Sequence, residues 1–412
     1  MKKLLPFSWL LPAIIVLFSG CIKDKVSRTY QIMRPIYEDK AVVLSNVKGG
    51  AAQQLSKPGK IFIRGNYLYI NEIDKGVHIY DNSNPSEPRQ ISFINIPGNL
   101  DVAVSGHYLY ADMYSDLLTI DIGDPLNAKL VDTSLYVFPD RIFQSNDRVI
   151  VGWDVKDTTV TDDPQQWPGG GCMACDFIAV PAAMSGSEKA SYIPGISGSM
   201  ARFVVMNNYL YAVNTSTLYA YDISNEADPV RKNEMGIGWN IETIFPFGNK
   251  LFIGSGSGMF VYDVSEPSAP QQVTSFQHAT ACDPVITDGD YAYVTLRAGN
   301  TCRGIINQLD IISVKNLSFP VLLKTYDMHN PQGLGKDGNT LFICDGTDGI
   351  KIYDAQNTPD ISLIHQIKDV NAYDAIPWGG RLIVSAEDGI HQYDYSDLHD
   401  IKSLSTIHIS GK

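Results

Sequence analysis

The sequence is poor in positive charge. It has 32 Lys and Arg against 45 Asp and Glu, a formal net charge of -13. A protein that binds nucleic acid through its general surface needs a basic face, so this composition argues against that class. Charged residues make up only 19% of the 412 residues and hydrophobic residues 44%, which excludes a disordered chain and a protein with many membrane spans.

Long apolar runs are also scarce, and one of them stands at the N-terminus. Residues 4–18 are apolar and follow two lysines, a pattern typical of a secretory signal and short for a membrane span. The run ends in Leu17-Phe18-Ser19-Gly20-Cys21, which resembles a bacterial lipobox although Phe18 replaces the usual Leu, Val or Ile. We therefore expect a signal peptide over 1–20 and a diacylglyceryl group on Cys21. The alternative is an ordinary secretory signal in which Cys21 is incidental.

This resemblance implies a location. The residue after the cysteine is Ile22, where an Asp would indicate retention in the inner membrane. We therefore expect a protein anchored by lipid to the bacterial outer membrane, on either its periplasmic or its surface-exposed face. Removing the two signal lysines changes the formal charge from -13 to -15. Residues 21–58 show weak periodicity and are predicted to form a tether.

Glycine, proline and tyrosine are abundant. The chain has 34 Gly, 22 Pro and 22 Tyr, a mixture typical of many short strands joined by tight turns. The sequence therefore predicts an all-β protein.

One unit recurs along the chain: an apolar strand, a turn, a Tyr-Leu-Tyr strand, a second turn, a strand ending in Tyr-Asp, and a fourth strand. The turn before the second strand occurs eight times, at Gly65, Gly106, Asn146, Asn207, Gly248, Gly289, Gly338 and Gly379. The third strand ends at Asp81, Asp121, Asp222, Asp263, Asp354 and Asp394. Neighbouring copies lie about 40 residues apart, the length of one four-stranded propeller blade.

The repeat predicts a β-propeller over residues 59–412, with eight four-stranded blades. In the sixth unit, aligning Pro320 with Pro270 places Ser313 where the other units have Asp. The third unit carries a long insertion at about 153–193. If that whole unit is an insertion, the alternative is seven blades.

The third-strand pattern and the Tyr-Asp-x-Ser-x-Pro turn resemble the LVIVD-repeat family. The resemblance covers roughly Gly59 to the C-terminus. It implies a bacterial, Bacteroidetes-like surface lipoprotein with a β-propeller, and it carries no established chemistry.

Five cysteines remain besides Cys21. Cys282 and Cys302 flank two strands that meet at one turn, which favours a disulfide between them over two separate thiols. Cys172 and Cys175 have CxxC spacing, for which we favour a local disulfide over a zinc or redox site. Cys344 lies in an apolar strand and is predicted to be a buried thiol.

The start of each inner strand offers candidate binding residues, because propellers place many sites at the mouth of the central channel. One polar residue per unit falls there: Lys60, Asp101, Arg141, Arg202, Glu242, Asp283, Gln332 and Asp374. Such a ring could bind a polar ligand or a metal ion, or it could be a solvated channel wall of ion pairs. We predict no cofactor and no metal.

No catalytic motif is present in the sequence. We therefore expect a non-catalytic, envelope-anchored propeller that binds a protein, a glycan or an ion. The alternative is a propeller hydrolase or lyase acting on polysaccharide through Asp101, Glu242, Asp283 and Asp374. A structural subunit of an outer-membrane assembly is a third possibility.

Overall fold

The computed structural model describes residues 26–138, 147–162, 178–181, 199–256, 258–277, 284–298 and 306–410. Strand accounts for 60% of the chain and helix for 3%, so the all-β prediction is confirmed. No helix in these ranges is long and apolar enough to cross a membrane. The chain divides into two compact units, residues 36–152 with 190–412 and residues 1–35 with 153–189.

Strand β1 (Val26–Asp39) leads directly into a short helix, α1 (Lys40–Ser45). The Asp39 carboxylate caps this helix by accepting a hydrogen bond from the Ala41 amide at 2.9 Å. The Lys40 ammonium lies 2.5 Å from the carboxylate of Asp116, which is fully buried in the second blade. Strand β1 and helix α1 lie in the segment 21–58, for which the sequence predicted a tether.

The larger unit contains a seven-bladed propeller of four-stranded blades. The first two blades follow α1. The first consists of β3 (Pro58–Arg64), β4 (Tyr67–Glu72), β5 (Gly76–Asp81) and β6 (Arg89–Asn95), with β2 (Gly49–Gly50) added to its outer edge. The second consists of β7 (Val102–Ser105), β8 (Tyr108–Met113), β9 (Asp116–Asp121) and β10 (Lys129–Ser134), with a 3-10 turn at Pro125–Asn127.

The eight-blade prediction is wrong, and the alternative of seven blades is confirmed. The described residues of the third sequence unit form β11 (Arg148–Asp162), which does not pair within a four-stranded blade sheet. Instead it joins β1 and β12 (Ile178–Pro181) in a three-stranded sheet of order β11-β1-β12. The described residues of this unit therefore belong to the three-stranded sheet and not to a blade.

The remaining five blades follow residue 199. Blade 3 consists of β13 (Phe203–Met206), β14 (Tyr209–Val213), β15 (Thr217–Asp222) and β16 (Val230–Gly236). Blade 4 consists of β17 (Ile241–Phe247), β18 (Lys250–Ser255), β19 (Gly258–Asp263) and β20 (Gln271–Gln277). Blade 5 consists of β21 (Val285–Thr287), β22 (Tyr291–Leu296), β23 (Gln308–Ser313) and β24 (Val321–Asp327). Blade 6 consists of β25 (Leu334–Asp337), β26 (Thr340–Cys344), β27 (Ile350–Asp354) and β28 (Ser362–Ile367). Blade 7 consists of β29 (Ala372–Trp378), β30 (Arg381–Ala386), β31 (Gly389–Asp394) and β32 (Lys402–His408).

The repeat registers agree between blades. Tyr209 pairs with Asp222 in blade 3, and Tyr291 pairs with Ser313 in blade 5. Ser313 therefore occupies the position of the repeat Asp, as the sequence alignment predicted.

The tyrosines of the second strands connect neighbouring blades. The hydroxyl of Tyr110 donates to the Glu226 carbonyl of the next blade at 2.9 Å, and that of Tyr211 donates to the Pro267 carbonyl at 3.0 Å. Both rings are fully buried. A buried Tyr needs a partner for its hydroxyl, and the turn of the following blade supplies one. This contact explains why Tyr recurs at a fixed place in the repeat.

The ring closes between blades 7 and 1 without exchange of a strand, since every strand of blade 7 follows blade 6 in the chain. Buried aliphatic side chains from the two blades pack together, among them Ile61, Ile70 and Ile383. The side-chain amides of Asn82 and Gln392 exchange two hydrogen bonds, of 2.9 and 2.8 Å. This junction is held by side-chain packing and hydrogen bonds.

Candidate functional site

Six of the eight predicted mouth residues are described, and each lies at the start of an inner strand. Lys60, Glu242 and Asp374 lie within β3, β17 and β29. Asp101 and Arg202 directly precede β7 and β13, and Gln332 lies two residues before β25. Arg141 and Asp283 lie outside the described residues. Because neighbouring strands of a blade are antiparallel, the ends of the second strands reach the same end of the propeller.

Lys60 and Asp101 form a buried ion pair between blades 1 and 2, and each residue is only 2% exposed. The Lys60 ammonium donates directly to the Asp101 carboxylate, which also accepts from the Arg202 amide at 2.6 Å. Burial lowers the pKa of Lys60 to about 8 and raises the pKa of Asp101. Both pKa shifts arise because burial destabilises the charged forms of Lys60 and Asp101. The direct contact between the two side chains partly offsets this cost.

Asp112, at the end of β8, holds the chain that enters β7. Its carboxylate accepts from the amides of Leu100 and Asp101, each at 2.8 Å. A small cavity of about 20 Å³ lies beside Asp112 and Arg202, with Asn214 in its wall. That volume suits a single water molecule, so this part of the mouth is closely packed.

A chain segment crosses the mouth. Ser199 is fully buried, and its hydroxyl donates to the Asp374 carboxylate of blade 7 at 2.9 Å. The same hydroxyl accepts from the Leu334 amide of blade 6 at 2.9 Å. Three residues further on, the Arg202 amide bonds to Asp101 of blade 2. The segment 199–202 therefore joins opposite sides of the ring.

Asp374 is the most deeply buried of the six predicted mouth residues that the structure describes, at 0% exposure. Burial raises its pKa to about 7, although the hydrogen bonds from Ser199 and from the Ala375 amide and the charge of Lys60 act in the opposite direction.

Glu242 and Arg297 lie at the mouth in blades 4 and 5. Burial raises the pKa of Glu242 to about 7, while the charges of Arg202 and Arg297 lower it. The Arg297 guanidinium donates to the side-chain carbonyl of Gln332. Trp239, in the loop that leads into β17, is 81% exposed. A large aromatic side chain thus stands in solvent three residues from a carboxyl group of the mouth.

Sequence reasoning missed Arg297, Asp112 and Ser199. Arg297 and Asp112 lie outside the first strands, whose starts alone were predicted to line the mouth. Both stand at or next to the end of a second strand, where an apolar run changes to a polar residue. That change of polarity was the available signal. Ser199 has no signal in the repeat, because it lies in the connection that returns from the insertion.

A second buried polar cluster lies at the mouth end of blade 1. Ser56 and His78 both bond to the Glu72 carboxylate, with His78 Nε2 at 3.1 Å. Burial alone would raise the pKa of Glu72, but the hydrogen bonds from His78, Ser56 and Lys75 outweigh it and lower the pKa to about 2. The serine and histidine meet the carboxylate separately, whereas a nucleophilic triad needs serine bonded to histidine. The cluster fastens the chain that enters the propeller.

Within the described ranges, no group of three or more His, Cys, Asp or Glu side chains could hold a metal ion. Cys344 is fully buried and free, which confirms the predicted buried thiol. The predicted disulfides involve Cys172, Cys175, Cys282 and Cys302, and these lie outside the described residues, as does Cys21.

Comparison with known proteins identifies LVIVD repeats in four segments, residues 57–94, 99–133, 197–235 and 246–278. These segments include blades 1 and 2, blade 3, and most of blade 4. The resemblance to LVIVD repeats is therefore confirmed. A search of curated proteins finds no match.

Several solved structures share the propeller fold. A functionally unknown protein from Desulfotomaculum acetoxidans is 13% identical, with a TM-score of 0.54 over 84% of this chain and 96% of that one. BamB from Moraxella catarrhalis is 8% identical, with a TM-score of 0.51 over 88% and 96%. A chain of the mitotic checkpoint complex is 8% identical, with a TM-score of 0.52 over 86% and 92%. At these identities the likeness shows the fold alone.

Proposed function

We propose that this protein is a non-catalytic binding scaffold whose propeller mouth engages a protein partner. The observation that carries the proposal is Trp239, 81% exposed on a loop beside the charged residues of the mouth. Exposed Trp and Arg are the side chains that dominate protein interfaces. One propeller of similar fold was solved within the mitotic checkpoint complex, and that supports protein binding by analogy.

The loop that carries Trp239 is positioned by main-chain hydrogen bonds to a turn of blade 3. Ile237 donates its amide to the Ser216 carbonyl at 2.8 Å, and Ile241 donates to the Thr215 carbonyl at 3.0 Å. Asn240 has a φ of 50°, a left-handed conformation that is held by these neighbours. A recognition side chain on such a braced loop loses little conformational entropy when it binds.

Site-specific photo-crosslinking in cells tests this proposal. A photoreactive amino acid replaces Trp239 in one variant and Trp378 in another, because Trp378 is also exposed, at 52%, but ends β29 at the opposite end of the propeller. We expect a discrete protein adduct from position 239 that position 378 does not give. Identical adducts from both positions, or none from position 239, would refute binding at the mouth.

We further propose that the scaffold is anchored by lipid on Cys21 to the bacterial outer membrane. The lipobox-like sequence before Cys21 supports this anchor. Intact mass measurement of the protein from membranes should show a chain that starts at Cys21 and carries acyl groups. A mature mass without acyl groups would exclude the anchor and leave the mouth proposal standing.

A polysaccharide hydrolase or lyase is the second candidate. It is favoured by the pKa of Glu242, raised to about 7, since a general acid must keep its proton near neutral pH. Asp374, whose pKa is also raised to about 7, is fully buried beneath Ser199. Glu242 is therefore the more accessible of these two carboxyl groups. Loss of glycan cleavage in Glu242→Gln, with retained cleavage in Glu266→Gln on an outer turn, would favour the enzyme. Equal activity in both variants would exclude Glu242 as its acid.

A further inference from the structure

The segment 199–202 closes one side of the propeller mouth through contacts with several blades. Ser199 bonds to Asp374 and Leu334, as described above. The Ala201 carbonyl accepts from the Ile244 amide of blade 4 at 2.8 Å, and Ala201 is 1% exposed. These bonds reach blades 4, 6 and 7, and the Arg202 amide reaches blade 2. We call residues 199–202 the mouth strap.

The site that holds the Ser199 side chain, called here the seat, suits a hydroxyl group. It pairs a backbone donor, the Leu334 amide, with a carboxylate acceptor, Asp374. Gly333 forms its wall, and a Cβ at that position would lie 1.9 Å from Asp374 Oδ1. Only glycine leaves room for the carboxylate, so the serine, the aspartate and the glycine depend on one another.

Closing the strap has a cost as well as a benefit. Beneath it, Lys60, Asp101 and Asp374 are at most 2% exposed. Removing ionisable groups from water is unfavourable, and the hydrogen bonds of the strap must offset it. The hydrogen bonds of the strap thus act against the cost of burying these ionisable groups. A segment that is held by so small a net free energy opens locally before the whole fold unfolds.

We propose that the mouth strap is a cover that opens locally: Ser199 bonds to Asp374 at the channel mouth, and release of the strap exposes Asp374, Lys60 and Asp101 without unfolding of the propeller. This proposal goes beyond the proposed partner binding and does not require it.

Thiol labelling tests the proposal on the full chain, with Cys344 as an internal control. Cys344 ends β26 and is fully buried in the apolar core that blades 6 and 7 share, so it reacts only when these blades separate. In Ser199→Cys, a thiol at the strap should react at least about tenfold faster than Cys344, because local opening needs less free energy than unfolding. Peptide mass spectrometry separates the two sites from the other cysteines.

In the wild-type chain, hydrogen exchange should show the Leu334 amide opening faster than the Ile343 amide of the adjacent strand, which checks the result without a substitution. If position 199 and Cys344 react at one rate, and Leu334 and Ile343 exchange together, the strap is a fixed part of the fold and the proposal is wrong.

Discussion

The junction between blades 7 and 1 gives the sharpest prediction about stability. The other neighbouring blades are joined by continuous chain, whereas this pair meets only through packing and hydrogen bonds. Asn82 is 7% exposed and Gln392 0% exposed, and their amides satisfy each other through two hydrogen bonds. Gln392→Ala removes both bonds and leaves the buried side-chain amide of Asn82 without this partner.

The expected magnitude follows from that geometry. An unsatisfied buried polar group costs about 1–3 kcal/mol, and Asn82 would have one donor and one acceptor unpaired. Entry of water into the space left by the side chain recovers part of this cost. We therefore expect Gln392→Ala to lower the free energy of unfolding by roughly 2–4 kcal/mol, a large share of the 5–15 kcal/mol of a typical domain.

Urea denaturation followed by tryptophan fluorescence measures this loss. Gln366→Ala is the matched control, because it removes the same atoms from a half-buried Gln whose bond, to the Asp348 carbonyl at 2.7 Å, stays within one blade. A double-mutant cycle between Asn82→Ala and Gln392→Ala should give a coupling of about 1–2 kcal/mol. A loss no larger than that of the control, with no coupling, would refute the role of this pair in closing the ring.

Three further predictions concern titration and turns. The folded pKa of Asp374 is raised to about 7, so between about pH 4 and 7 the folded state holds a proton that the unfolded state has lost. The free energy of unfolding should therefore fall as pH rises from about 4 to 7. Asp374→Asn should flatten this slope in denaturation curves, and an unchanged slope would contradict the assignment. Glu72 behaves in the opposite way, since its folded pKa is lowered to about 2. The ionised Glu72 stabilises the fold above its ordinary pKa of 4.5, and this contribution should be lost as pH falls towards 2. Glu72→Gln should therefore be less stable at neutral pH and less sensitive to acid. The repeat turn of blade 4 depends on Asp263, which accepts from the Ser265 amide at 2.7 Å and from Lys250 at 2.9 Å; Asp263→Ala should cost about 1 kcal/mol by thermal melting, and Asp263→Asn less, because the amide oxygen can still accept.

The repeat was readable from sequence because its signals are local. Tyr-Asp strand ends and Asn or Gly turns recur at one period, and each is governed by residues close in the chain. The same reading counted one blade too many. Residues 147–151 match a second strand in isolation, and only pairing with β1 distinguishes β11 from a blade strand. That pairing joins segments more than a hundred residues apart.

The mouth was predictable in part for a similar reason. A residue at the start of an inner strand can be placed by counting, so Lys60, Asp101 and Glu242 were placed at the correct end of their blades. Their partners could not be found in this way. Asp101 pairs with a lysine 41 residues away, and Ser199 bonds to an aspartate 175 residues away. Such contacts exist only once the ring has closed.

Strand type, repeat length, turn chemistry and the polar positions at the mouth follow from local sequence patterns, because they depend on side-chain alternation and local hydrogen bonds. The tertiary structure decided the number of blades, the closure through Asn82 and Gln392, and the strap that covers Asp374. Those features depend on which distant segments pack together, and burial then sets the pKa of each enclosed group. Local patterns specify the blade, and the closed ring decides what its charged mouth contacts.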